Sequence, residues 1–223
     1  MKKPYIICHM MTSIDGRIDC EMTGQLAGVS DYYETLDELN TPSGVNGRVT
    51  AELELALPGK FENAVEAVGK ECFSKKEAAE GYEVICDSRG TLLWPNAEHM
   101  DKPHLILMSE RASKEYLEYL DRQGISYIVA GKDRIDLTKA ADILYREFDV
   151  KRLSVVGGPT INTAFLEDGL LDEISILIGA GIDARGSMPT LFEGLPDEHP
   201  VIHLKLKDVK KFESGAVWLR YLL

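Results

Sequence analysis

Residues 155–162, Val-Val-Gly-Gly-Pro-Thr-Ile-Asn, hold the residue types best suited to receive an anion. An apolar run at 152–156 feeds two glycines, a Thr and then an apolar-periodic stretch at 161–171, which reads as strand, tight turn and helix start. Backbone N–H groups at a helix N-terminus point outward, and the helix dipole favours negative charge there. Glycine lets a phosphate approach the main chain closely. Gly157 and Gly158 supply that approach, and Thr160 offers a hydroxyl and a helix cap. The same eight residues also make an ordinary strand-to-helix turn, and taken alone they leave both readings standing.

Three more loops follow strand-like runs, at 12–17, 44–50 and 87–90. They carry Arg48 and Arg89, the hydroxyls of Thr50 and Ser88, and Gly47. Phosphate is held by N–H groups, hydroxyls and Arg forks, and open α/β sheets bind ligands at the carboxyl ends of their strands. Each loop alone is ordinary turn chemistry; four on one sheet edge point to a nucleotide. Asp15, just beyond the first strand, is the acid of most interest, with an equal claim to hold its Asp-Gly turn. His9, on that strand, reads as a core or cleft-wall residue. His199 and His203 flank Pro200 in extended surroundings, which speaks against a helical metal pair, so no metal site is expected. There is no Gly-x-Ser-x-Gly elbow and no P-loop.

These loops need a scaffold, and the apolar pattern supplies one. Strands are expected at 5–11, 83–86, 104–108, 126–130, 152–156 and 173–180, and helices at 30–39, 49–57, 113–122, 137–148 and 161–171. Ser30 is the cap expected for the first helix and Gly124 the C-cap of the 113–122 helix. Residues 41–47, rich in Gly, Pro and Asn, read as a loop, and 58–81 as a polar excursion with one short helix. Strands alternating with helices imply a mostly parallel sheet covered on both faces. The runs 201–213 and 216–222, joined at Ser214-Gly215, read as an antiparallel C-terminal hairpin. No linker or repeat breaks the pattern, so residues 1–223 are expected to form one domain.

The chain has 223 residues, 44% hydrophobic and 28% charged, with 25 Lys+Arg against 37 Asp+Glu for a net charge of -12. A chain of this length buries a full core. The acidic balance makes it a poor partner for nucleic acid or anionic membrane, yet leaves room for a local basic pocket. Cys8, Cys20, Cys72 and Cys86 form no close pair, and Cys8 and Cys86 lie in apolar runs that suit buried thiols. The N-terminus carries no signal-like or membrane-spanning run, so a cytoplasmic location is expected.

Five short pieces occur in order across nearly the whole chain: Met-Thr-Ser-Ile-Asp-Gly-Arg-Ile at 11–18, Gly-Arg-Val-Thr at 47–50, Val-Ile-Cys-Asp-Ser-Arg-Gly at 84–90, Val-Gly-Gly-Pro-Thr-Ile-Asn at 156–162 continuing into Leu-Glu-Asp-Gly-Leu-Leu-Asp-Glu at 166–173, and Pro-Thr-Leu-Phe-Glu-Gly at 189–194. The set resembles the reductase domain of bacterial riboflavin biosynthesis, a dihydrofolate-reductase-like α/β three-layer sandwich. The resemblance implies an NADPH-dependent oxidoreductase, commonly a homodimer, acting by hydride transfer on a small heterocyclic or sugar-like molecule such as 5-amino-6-(5-phosphoribosylamino)uracil. By the same resemblance, Gly47, Arg48 and Thr50 flank the cofactor's phosphates. Ser88 and Arg89 lie by the adenosine 2′-phosphate, and Gly157, Gly158 and Thr160 cradle the pyrophosphate. The 12–16 loop borders nicotinamide and substrate, with Thr12 and Ser13 binding substrate and Asp15 orienting or protonating it.

Two positions depart from the family. Val156 stands where an acid usually precedes the Gly-Gly pair. Residues 51–58, Ala-Glu-Leu-Glu-Leu-Ala-Leu-Pro, replace an Asp-Asp-Pro segment with nearby arginines that holds a substrate phosphate. The zinc ligands of the fused deaminase domain are not found. These departures keep two other readings open: a non-catalytic nucleotide-binding dimer, and a dihydrofolate-type reductase, against which the first helix lacks the expected Trp and acid pattern.

Overall fold

The computed structural model describes residues 1–62 and 66–223; Cys20 is described for its backbone alone. The chain divides into two compact units, Met1–Pro4 with Pro42–Leu153, and Tyr5–Thr41 with Ser154–Leu223.

The first unit contains β2 (Ser43–Gly47), α3 (Arg48–Glu54), β3 (Cys72–Ser74), β4 (Glu83–Cys86), β5 (His104–Met108), α4 (Lys114–Gln123), β6 (Ser126–Val129) and α5 (Leu137–Glu147). Its strands lie in the order β3-β6-β5-β4-β2. Strands β2, β4, β5 and β6 run parallel, and β3 is antiparallel to β6. β5 is buried at every position. That is why its sequence is a continuous apolar run: a parallel strand covered on both faces does not alternate. Ser113 caps α4 by accepting from the Tyr116 N–H at 3.2 Å, and Asp136 caps α5 by accepting from the Lys139 N–H at 2.9 Å. On α5, Leu137, Ala140, Ala141 and Leu144 form the buried stripe. The core beneath β4 and β5 gathers Ile85, Leu92, Trp94, Ile106, Tyr116 and Leu120.

The second unit holds β1 (Tyr5–Thr12), α1 (Cys20–Thr23), α2 (Val29–Glu38), α6 (Pro159–Glu167), β8 (Glu173–Ile178), β9 (Lys205–Lys211) and β10 (Val217–Leu222); the chain passes from the first unit to the second within β7 (Arg152–Val155). β1 pairs parallel with β8, β8 antiparallel with β10, and β10 with β9 in a C-terminal hairpin. The expected mixed α/β architecture, mostly parallel with an antiparallel C-terminal hairpin, is the one observed.

Four local expectations are corrected. The Gly- and Asn-rich stretch expected as loop is β2, buried throughout and paired with β4; its small residues suit a crowded interior strand better than a surface turn. The excursion at 58–81 carries the short strand β3 and no helix among the described residues, 63–65 lying outside them. α2 starts after Gly28, which puts Ser30 inside the first turn rather than at the cap. At α6 the cap is Gly158 with Pro159 in the first helical position, so Thr160 does not cap.

His9 is fully buried in the second unit, stacked on Tyr32 with ring centroids 4.7 Å apart. Its Nδ1 lies 2.9 Å from the Ser175 hydroxyl, and its Nε2 lies 3.2 Å from that of Thr35. The Ser175 hydroxyl accepts from Trp218 Nε1, and the Thr35 hydroxyl donates to the Tyr32 carbonyl. The network closes if Ser175 donates to Nδ1 and the Nε2–H donates to Thr35, which fixes a neutral imidazole in one tautomer. Burial pushes its pKa down to about 4 from an ordinary 6.5. A base whose folded pKa lies below its unfolded one stabilises the fold fully above 6.5, and loses that contribution as pH falls toward 4. Acidification to pH 4 is therefore expected to remove about 3 kcal/mol through this residue. In urea unfolding across that range, His9→Gln should show a flatter pH dependence than wild type; an unchanged slope would exclude His9 as the source.

Candidate functional site

In the first unit, β2 runs straight into α3 at Arg48, and β4 ends in a turn. After β4, the Asp87 carboxylate accepts from the N–H groups of Thr91 at 2.6 Å and Leu92 at 2.9 Å. The Ser88 carbonyl accepts from Ser109 N at 3.0 Å and from the Ser109 hydroxyl at 2.8 Å. Gly90 sits at φ +67, and a Cβ there would come within 2.2 Å of the Tyr116 ring. Only glycine fits this turn, for conformation and for space. The turn is thus fixed from both ends, with Ser88 and Arg89 at its tip.

This tip and the start of α3 enclose a cavity of about 340 Å³ lined by Arg48, Lys60, Cys86, Asp87, Ser88, Arg89 and Thr91. Three cations meet two hydroxyls there, in a chain of net charge -12. Arg48 Nη1 lies 2.6 Å from Glu52, while Arg89 makes no hydrogen bond or ion pair among the described residues. The Cys86 thiol is pushed up to about 12 by burial and by the neighbouring Asp87 charge, so it stays protonated. The arrangement suits an anion with several acceptor oxygens. The cavity joins three of the expected phosphate residues, Arg48, Ser88 and Arg89; Gly47 and Thr50 flank Arg48 in sequence but do not line it. Lys60 and Thr91 were not legible as site residues. Thr91 adjoins the turn, and Lys60 sits in a polar stretch with no local signal.

In the second unit, the 12–17 loop closes on itself: Ser13 N donates to the Arg17 carbonyl at 3.0 Å, and the Ser13 hydroxyl accepts from Arg17 N at 3.1 Å. Thr12 and Ser13 are buried. The Asp15 carboxylate accepts from the Ser13 hydroxyl at 2.7 Å and from the N–H groups of Asp183 at 3.0 Å and Ala184 at 2.9 Å. These donors, Ser13 foremost, hold its pKa far below the ordinary carboxylate range. Arg17 reaches the Met188 carbonyl at 2.6 Å, and Arg185 bridges Asp19 and Asp183. From α6, Asn162 donates to the Leu191 carbonyl at 2.9 Å, and the Thr163 hydroxyl accepts from Glu193 N at 2.9 Å. Three of the five sequence pieces, at 11–18, 156–162 and 189–194, are therefore tied together within this unit.

Gly157 has φ +109, and a Cβ on it would crowd the Met10 side chain at 3.1 Å. A Cβ on Gly158 would meet nothing within 4 Å, so its backbone faces open space. Pro159 lacks an N–H, and the N–H groups of Ile161 and Asn162 turn back to the Gly158 carbonyl. Thr160 is exposed at the mouth of α6. What this helix start can offer an anion is therefore the open Gly158 backbone and Thr160, not the N–H groups of Ile161 and Asn162.

Comparison with known proteins identifies the family. A family model described as the RibD C-terminal domain matches residues 4–218. A 2,5-diamino-6-ribosylamino-4(3H)-pyrimidinone 5′-phosphate reductase of Methanothermobacter thermautotrophicus is 28% identical over 218 residues, 92% of both chains. A reductase of the same name from Aquifex aeolicus is 35% identical over 109 residues, about half of each chain at 48%. The solved structure of a pyrimidine reductase-like protein from Corynebacterium diphtheriae superposes with a TM-score of 0.71 at 18% identity, covering 98% of this chain and 91% of that one. The fold is that of the dihydrofolate-reductase-like reductases, and the chain belongs to the RibD C-terminal domain family.

Proposed function

We propose that this chain is an NADPH-dependent reductase of the phosphorylated ribosylaminopyrimidine for which its relatives are named. The observation that carries this reading is the first unit's cavity, where Arg48, Arg89 and Ser88 converge although the chain as a whole is acidic. Arg89 and Ser88 receive the 2′-phosphate, with Arg48 beside them. In the second unit, Gly157, Gly158 and Thr160 offer backbone and hydroxyl to a phosphate group. Reduced nicotinamide, when bound, supplies a hydride to the imine carbon that a ribosylamine exposes on ring opening.

The chain's own part is to bind, orient and exclude water. Asp15 is assigned an orienting role and not proton donation: its carboxylate stays ionised, with its acceptor sites taken by Ser13, Asp183 and Ala184. Thr12 and Ser13 shape the same loop, which borders the substrate. Asp15→Asn puts an NH2 where a backbone N–H must be accepted. Loosening the 183–184 segment in this way should slow turnover about ten-fold, the scale of a hydrogen bond to a charged group, with NADPH affinity nearly unchanged. Nicotinamide fluorescence reads the binding, and NADPH oxidation with the ribosylaminopyrimidine phosphate reads the turnover. Equal loss of both would refute the orienting role. Wild-type protein that binds NADPH but oxidises none on that substrate would refute the reductase reading.

A homodimer fits the second unit's edge strand β9, where Leu206 and Val209 are 52% and 53% exposed on a sheet edge with an open row of backbone groups. A monomer mass in sedimentation equilibrium would refute it. A cytoplasmic location is supported by the free thiols of Cys8, Cys72 and Cys86. Among the described residues, no helix is long and apolar enough to cross a membrane.

A further inference from the structure

Lys60 stands in the wall of the phosphate cavity, yet no local sequence pattern marks it. Its segment is docked and not loose. Phe61 N donates to the Thr91 carbonyl at 2.9 Å and Leu57 N to the Leu93 carbonyl at 2.8 Å. The Phe61 ring packs on Tyr116 and Tyr119 with centroids 5.0 and 5.2 Å away. Lys60 is thereby held, through its neighbour Phe61, beside the turn that carries Ser88 and Arg89.

Two carboxylates lie near the three cations, and they differ. Asp87 is committed to the turn, accepting from Thr91 and Leu92. Glu52 instead reaches two of the cations themselves: one oxygen is 2.6 Å from Arg48 Nη1 and the other 3.7 Å from Lys60 Nζ. Glu52 does not line the cavity itself; it is the counter-ion that two of its cations, Arg48 and Lys60, share, while Arg89 is left open.

Resting on the reading of this cavity as a phosphate seat, we infer that Lys60 is a third cationic ligand for a phosphomonoester dianion, and that Glu52 is the competitor the dianion displaces. A hydroxyl cannot replace a carboxylate between two cations; a dianion can, because it brings more charge to the same pair. Glu52 therefore sets a charge threshold, and Lys60 and Glu52 together tune selectivity for a phosphorylated ligand over its unphosphorylated counterpart. A monoester dianion is carried both by the 2′-phosphate of the cofactor and by the 5′-phosphate of a ribosylated substrate, and the probes separate them.

The test is calorimetric titration of the whole chain with NADP+, NAD+ and ribose 5-phosphate, for wild type, Lys60→Met, Glu52→Gln and Arg89→Ala. Lys60→Met should weaken NADP+ about five-fold and leave NAD+ within about two-fold, the scale of a solvent-accessible charge pair. Glu52→Gln should tighten NADP+ by a similar factor. The same pattern confined to ribose 5-phosphate supports the inference and assigns the seat to the substrate's phosphate. If Lys60→Met and Glu52→Gln leave all three probes unchanged while Arg89→Ala weakens NADP+, the roles of Lys60 and Glu52 are overturned and the phosphate seat stands. If no variant moves any probe, the phosphate seat falls as well. Lys60 is 63% exposed, so its substitution leaves the fold intact for this comparison.

Discussion

Glu173→Ala is expected to destabilise the protein by about 3 kcal/mol or more, the cost of removing one partner from a buried ion pair. Glu173 begins β8 with its side chain fully buried. One carboxylate oxygen lies 2.5 Å from Arg220 Nε, and the other accepts from Lys207 Nζ at 2.7 Å and from the Tyr5 hydroxyl at 3.0 Å. Burial alone would raise its pKa, but the Arg220 and Lys207 hydrogen bonds offset that and hold the carboxyl below the ordinary range. Without the carboxylate, Arg220 is left 14% exposed over the Trp218 ring with no counter-charge from Glu173. Lys207, at 36% exposure, can turn to water, which keeps the loss toward the lower end of the range. Urea unfolding followed by circular dichroism measures it. The double change Glu173→Met with Arg220→Met should recover much of the loss, because apolar packing often replaces a buried pair at no net cost. A single variant within about 0.5 kcal/mol of wild type, the usual effect of a surface change, would show that the cluster contributes nothing.

That cluster also marks the limit of what the sequence discloses. Glu173 belongs to a recognisable motif, but Arg220 and Lys207 are fixed opposite it by hairpin register, which no local pattern encodes. The strands β4 and β5 were legible because a buried parallel strand writes itself as an apolar run. The C-cap of α4 was equally local, and Gly124 stands there at φ +74 as its type predicts. β2 was missed because its glycines and Asn46 carry a loop's composition, and only pairing with β4 makes it a strand. The Thr160 cap was misread although Pro159 marked the true first turn, since proline at that position is itself a start signal.

The site divides in the same way. Ser88 and Arg89 announced themselves as loop residues after a strand, and Arg48 as the cation of a Gly- and Asn-rich stretch, although it opens α3. Lys60 could not, because the backbone bridge from its neighbour Phe61 to Thr91 places it there. Asp15 was visible as a turn acid, but its partners Asp183 and Ala184 lie 168 and 169 residues away. What a side chain is was readable throughout. What already occupies it was not, and that decides between an acid that gives a proton and one that anchors a loop.

Arg89→Ala should weaken NADPH binding by about ten-fold or more while changing NADH binding little, since one hydrogen bond to a charged group is worth about 1.5–3 kcal/mol. The argument rests on how little else Arg89 does. Its guanidinium makes no hydrogen bond or ion pair among the described residues, and it lines a cavity whose other cations Arg48 and Lys60 already face Glu52. It stands at the tip of a turn held by Asp87, Ser109 and Gly90, so its backbone position is set before any ligand arrives. Such preorganisation removes part of the ordering cost of binding. Arg89→Lys should recover only part of the affinity, because a point charge cannot match the two-pronged geometry of guanidinium on phosphate. The loss should shrink as salt is raised, since an exposed charge contact is screened. Nicotinamide fluorescence titrations with NADPH and NADH at two ionic strengths read all of this. The unfolding midpoint should stay where it is, because no intramolecular bond is removed. An Arg89→Ala protein that holds NADPH within about two-fold of wild type would place the 2′-phosphate, and with it the choice of cofactor, somewhere other than this cavity.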